Sequence, residues 1–203
     1  MWMVEPSAEL IWMTEDPLKV IELAGRTAYK SESKITPDSS EKFISMLLAR
    51  GHESVLEHAS MSFRVVCDRG VSHEIVRHRL FSYTQESTRY CNYYGNDILF
   101  IKPPNIQGAY AQWLSAVAEC ERAYKRMIEL ECKPEIARSV LPNCLKTEIV
   151  ITGNFREWRH FFKLRTAGTA HPQMREVANM VLRIAVVQVR SVFDEYYKNT
   201  LED

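Results

Sequence analysis

The chain holds no C-x-x-C pair, no G-x-S-x-G turn, no excess charge of either sign and no apolar run near the roughly 20 residues of a membrane span. Each absence removes a class of function. The five cysteines, Cys67, Cys91, Cys120, Cys132 and Cys144, are scattered, so they read as reduced thiols rather than as zinc ligands or a redox couple. Residues 1–6 lack the basic start and apolar stretch of a signal peptide, and a soluble cytoplasmic protein is expected, with no membrane partner. With 26 basic and 26 acidic residues, the chain has no global footprint for duplex nucleic acid, so any basic site must be local. Two histidine pairs, His52/His58 and His73/His78, are six and five residues apart. On a helix those spacings point the rings about 120° and 140° apart, so no metal is expected.

What the chain does hold is a concentrated polar segment over residues 77–90. Arg77, His78, Arg79 and Arg89 alternate there with Ser82, Thr84, Gln85, Glu86, Ser87 and Thr88. Guanidinium forks match phosphate oxygens and hydroxyls bond beside them, so the segment suits an anionic, phosphorylated ligand. Phe81, Tyr83, Tyr90, Tyr93 and Tyr94 are interleaved with the arginines, which leaves open a second reading as a single-stranded nucleic-acid or nucleotide-binding module. The zero net charge favours a compact nucleotide pocket.

Periodicity predicts helices over residues 16–29, 40–51 and 113–127, and a half-buried strand over 60–68 with Met61, Phe63, Val65 and Cys67 on one face. Ser40 is a candidate cap and Gly51 a candidate stop. A helix over 72–79 would deliver residues 77–79 from its last turn. Pro134 opens a short helix carrying Arg138, a strand runs over 148–152 and a helix over 155–164, and Pro172 opens a long helix ending near Tyr197. With no repeat, low-complexity tract or composition break, residues 1–203 are expected to form a single α+β domain in which helices dominate.

The order Arg77-His78-Arg79, seven residues, Ser87, then Arg89-Tyr90 resembles the signature of flavin-dependent thymidylate synthases. His52-Glu53 with Glu57-His58 upstream, residues 137–142, and Asn154 with Leu164-Arg165 downstream follow the family's order over nearly the whole chain. The resemblance implies methylation of dUMP to dTMP, with methylenetetrahydrofolate as carbon donor, NADPH as reductant, FAD as cofactor and no cysteine nucleophile. It implies a homotetramer with active sites at subunit interfaces. On its residues, Arg77, His78, Arg79, Ser54, Gln85, Asn154, Arg156 and His160 would contact FAD, with His52 near the ring. Glu74, Arg77, Gln85, Glu86, Ser87, Arg89, Arg138 and Arg165 would bind dUMP. Arg165 would activate the pyrimidine, and Ser87 and His52 complete the catalytic set. Glu74, Thr84 and Gln85 stand where the family often has other residues, and the segment between Arg165 and His171 is longer than in some members.

Overall fold

A computed structural model describes residues 2–95 and 97–199, with side chains up to Tyr197. Strand β1 (Trp2–Val4) leads into β2 (Ser7–Met13) and helix α1 (Pro17–Ala28). Helix α2 (Ser40–Ala49) begins after Ser39, not Ser40, and the Ser39 hydroxyl turns to Glu22 on α1 at 2.8 Å instead of capping its own helix. At its other end Gly51 adopts φ +72°, which only glycine takes without strain. The amides of Gly51 and His52 then return to Leu48 and Leu47, both at 2.9 Å, closing the helix and fixing the start of a 3-10 segment, Glu53–His58.

Strand β3 (Ser60–Asp68) has the expected alternation, with Met61, Phe63, Val65 and Cys67 fully buried. Its last residue caps α3 (Arg69–Ile75): Asp68 Oδ1 accepts the Val71 amide at 2.6 Å. That helix therefore starts three residues earlier than expected and ends before Arg77, so residues 77–79 sit in the turn beyond it. Strand β4 (Ser82–Gln85) follows, then β5 (Leu99–Ile101), the 20-residue α4 (Tyr110–Glu129), α5 (Pro134–Ala137) and a 3-10 turn over Arg138–Val140. Strand β6 (Lys146–Asn154) passes directly into α6 (Phe155–Arg165) through an Asn154 cap, whose Oδ1 accepts the Glu157 amide at 2.9 Å. The expected long C-terminal helix is two, α7 (Pro172–Gln188) and α8 (Arg190–Asn199), with Val189 leaving helical geometry at φ −144°.

β2, β3, β6 and β4 form an antiparallel sheet in that order, while β1 and β5 pair in parallel. The main core lies between this sheet and α6, α7 and α8, around Trp158, Phe155, Phe161, Phe162 and Phe193, and a smaller cluster joins Phe100, Tyr124 and Leu145. Arg159, also buried, ties α6 to its surroundings: it donates to Glu53 Oε1 at 3.1 Å, Glu195 Oε2 at 2.9 Å and the Val192 carbonyl at 2.6 Å. No described helix is long and apolar enough to cross a membrane.

Candidate active site

An open cleft of about 1370 Å³ lies against α6, rimmed by residues 77–80, 166–168 and the 3-10 segment before β3. The turn carrying Arg77, His78 and Arg79 is fixed at three points. Phe81 is buried against Gly153 of β6 so closely that a Cβ there would stand 2.1 Å from its ring. Phe81 also lies 4.5 Å, centroid to centroid, from Trp158. The Tyr83 hydroxyl lies 2.7 Å from the carbonyl oxygens of both Ile75 and His78.

Within this frame His78 is 5% exposed and turns into the protein, whereas Arg77 and Arg79 point outward. Arg165, at the last position of α6, donates its Nε–H to His78 Nε2 at 3.0 Å, and its terminal nitrogens donate to the Glu74 carboxylate at 3.0 Å and the Glu74 carbonyl at 3.2 Å. Three of its five N–H donors are thus committed, leaving two for a ligand. Burial, with Arg165 and His160 beside it, pushes the His78 imidazole down to about 4, so the ring is neutral and can accept that bond. The other Glu74 oxygen lies 3.3 Å from His171 Nδ1, which gives the residue left without a role by the sequence a position behind Arg165.

Of the residues expected at a flavin, Arg77, His78, Arg79, Asn154, Arg156 and His160 line the cleft together with Arg165. Asn154 spends its carbonyl oxygen on the cap and keeps its amide nitrogen free for a ligand. Arg156 pairs with Glu57 at 2.6 Å. His52, just before the 3-10 segment, and Ser54 on it are exposed and do not line the cleft, although Glu53 and Glu57 beside them do. Gln85 turns away: its amide nitrogen lies 2.8 Å from Ser72 Oγ and 3.1 Å from Thr147 Oγ1.

The remaining residues gather beyond the other end of β4, whose four residues alone span about 13 Å. Glu86 accepts from the Tyr93 hydroxyl at 2.8 Å and Lys146 Nζ at 3.3 Å. The Ser87 carbonyl turns the chain by accepting the amides of Tyr90 and Cys91. Arg138 donates to Thr88 Oγ1 at 3.0 Å and the Glu135 carbonyl at 3.2 Å, and Arg89 Nε lies 3.9 Å from the Glu135 carboxylate. Two sequence-distant arginines thus meet around Ser87 and Thr88.

The reading from sequence missed Lys163, Glu157 and Arg159 in the cleft. For the last two a signal existed. Both fall on the apolar face of α6, one turn from Phe161 and Phe155, where a charged residue is out of place unless it has a partner.

A basic cleft beside a helix-bearing antiparallel sheet, with a neutral histidine clamping an arginine, defines an α+β protein with a candidate anion-binding site. Comparison with known proteins narrows the class. A family model described as thymidylate synthase complementing protein matches residues 9–189. The chain is 37% identical to the flavin-dependent thymidylate synthase of Mycobacterium sp. (strain JLS), over 95% of this chain and 85% of that protein. It is likewise 37% identical to that of Pyrococcus furiosus, over 83% of this chain and 74% of that protein. Its fold is similar to a crystal structure of a UMP/dUMP methylase from Streptomyces cacaoi bound with 5-Br dUMP, at a TM-score of 0.85 and 23% identity, over 98% and 97% of the two chains. The chain belongs to the flavin-dependent thymidylate synthase family.

Proposed function

We propose that this chain methylates dUMP to dTMP, using FAD as cofactor, methylenetetrahydrofolate as carbon donor and NADPH as reductant. The observation that carries the reading is the cleft arrangement in which the signature histidine, His78, clamps Arg165. Family membership supports the reaction, and the geometry supports the roles proposed below.

The cleft fits a flavin dinucleotide. Its volume exceeds the usual 300–1,000 Å³ of small-molecule sites, and Arg77, Arg79 and Lys163 line it with no ion-pair partner among the described residues. Those cations suit a diphosphate, while the free amide of Asn154 and the exposed ring of His160 suit polar ring edges. When bound, the flavin supplies the redox chemistry of the transfer.

The protein's own part is to place and polarise the nucleotide. Arg165, with two donors still free, stands to bond a pyrimidine edge and favour its N3-deprotonated form, which raises electron density at C5. Arg138 and Arg89, gathered at Ser87 and Thr88, suit the monoester. Cys67 and Cys144 are unsuited to attack, because burial pushes their thiols up to about 12 and about 11.

The two groups of site residues lie at opposite ends of β4, and Leu80 at the cleft lip is 78% exposed. Both facts fit active sites completed at subunit interfaces; a homotetramer acting in the cytoplasm is part of the proposal and rests on the family resemblance alone. The test is direct: purified protein should be yellow or take up FAD, and should turn over dUMP with methylenetetrahydrofolate and NADPH. Colourless protein that ignores added FAD and dUMP would overturn the reading.

A further inference from the structure

Beneath the cleft lies a buried carboxyl with no task so far. Glu157 is 5% exposed and its backbone N–H is held by the Asn154 cap. One of its oxygens lies 3.6 Å from His78 Nδ1, while the opposite edge of the same imidazole, Nε2, lies 3.0 Å from Arg165 Nε. The other titratable groups facing the carboxyl are His160 and Tyr83.

Arg165 Nε–H can only donate, so Nε2 must carry a lone pair and the single proton of the neutral ring must sit on Nδ1. That proton faces Glu157. At 3.6 Å the contact is longer than a good hydrogen bond, but a carboxyl oxygen in a buried setting still favours an N–H over a lone pair at that position. We propose that Glu157 is a positioning residue for Arg165: by facing Nδ1–H it selects the His78 tautomer whose Nε2 accepts from the guanidinium. The proposal rests on the function above only for its effect on turnover, since the tautomer itself belongs to the ligand-free chain.

Replacing the carboxyl by an amide removes the selection. The NH₂ group of Glu157→Gln can turn to Nδ1 and stabilise Nε2–H, which then meets Arg165 Nε–H donor against donor. Glu157→Met removes the carboxyl without adding a donor.

The experiment labels the six histidines with ¹⁵N and assigns His78 by the signal lost in His78→Asn. Wild-type His78 should carry its proton on Nδ1. In Glu157→Gln and Glu157→Met the Nε2–H form should gain population. With FAD bound, kcat should fall about 10- to 100-fold while KM for dUMP stays within about threefold and flavin occupancy is unchanged. Glu157→Asp should keep the wild-type tautomer and recover most of kcat. In a His78→Asn background, Glu157→Gln should cost nothing further, since its effect runs through that ring.

An unchanged tautomer in whichever of the Gln and Met variants folds overturns the proposal, as does an equal loss of kcat with and without His78. If wild-type protein does not turn over dUMP, the proposed function fails, and the tautomer measurement still decides the role of Glu157.

Discussion

The two ends of β4 each hold arginines, and they hold them in opposite ways. At its start His78 and Arg165 lock onto each other, with Phe81 wedged over Gly153 and Glu74 completing the clamp. Past its end Arg138 and Arg89 are exposed and tied by a hydroxyl, a carbonyl and a 3.9 Å ion pair. Half-buried, fixed charge suits stabilising a reacting group, because it costs no reorganisation when the reaction occurs. Exposed charge suits capture of a phosphate, where some adjustment is tolerated.

The largest effect should come from breaking the locked end. Arg165→Ala is expected to retain flavin and lose about 10²- to 10³-fold in kcat, the range for removing a charge-stabilising donor, as measured by steady-state kinetics. Acid should break the same contact. The folded-state pKa of His78, about 4, lies below its ordinary 6.5, so between those values the unfolded chain binds a proton that the native chain refuses. Stability should therefore be intact above pH 6.5 and fall as pH drops towards 4, by up to about 3 kcal/mol from this group, in denaturant titrations. His78→Asn should flatten that part of the profile.

Arg138→Ala addresses the loose end and should mainly raise KM for dUMP, by about 10- to 100-fold, through loss of a charge-assisted bond of about 1.5–3 kcal/mol. A comparable fall in kcat would mean the two ends do not divide the work as described. The smallest effect should be Gly153→Ala, whose methyl must displace Phe81 at a cost of about 1–3 kcal/mol in thermal or denaturant unfolding.

Where one physical signal dominated, the sequence was sufficient. The alternation from Ser60 to Asp68 marked strand and buried face together, because only one face of β3 meets α6 and α7. Asp68 misled, since an acid closing a strand and an acid capping a helix look alike until the Val71 amide is seen on its oxygen. The break at Val189 had no Pro or Gly to announce it; it arises as α8 packs back against α7. Among the candidate site residues, Arg77, His78, Arg79, Asn154, Arg156, His160 and Arg165 could be proposed from the family order, and the fold brings them together in the cleft. The inward turn of Gln85 was not legible, because it depends on Ser72 of α3 and Thr147 of β6, which only the fold brings to it.

β6 runs into α6 with nothing between them, the cap residue Asn154 being also the last residue of the strand. The spacing from Asn154 to Arg165 is therefore a phase as well as a length. One residue inserted after Asn154 would rotate the helix by about 100°, carrying His160 and Arg165 off the cleft while swinging Trp158 out of the core. This joint therefore admits no drift in chain length.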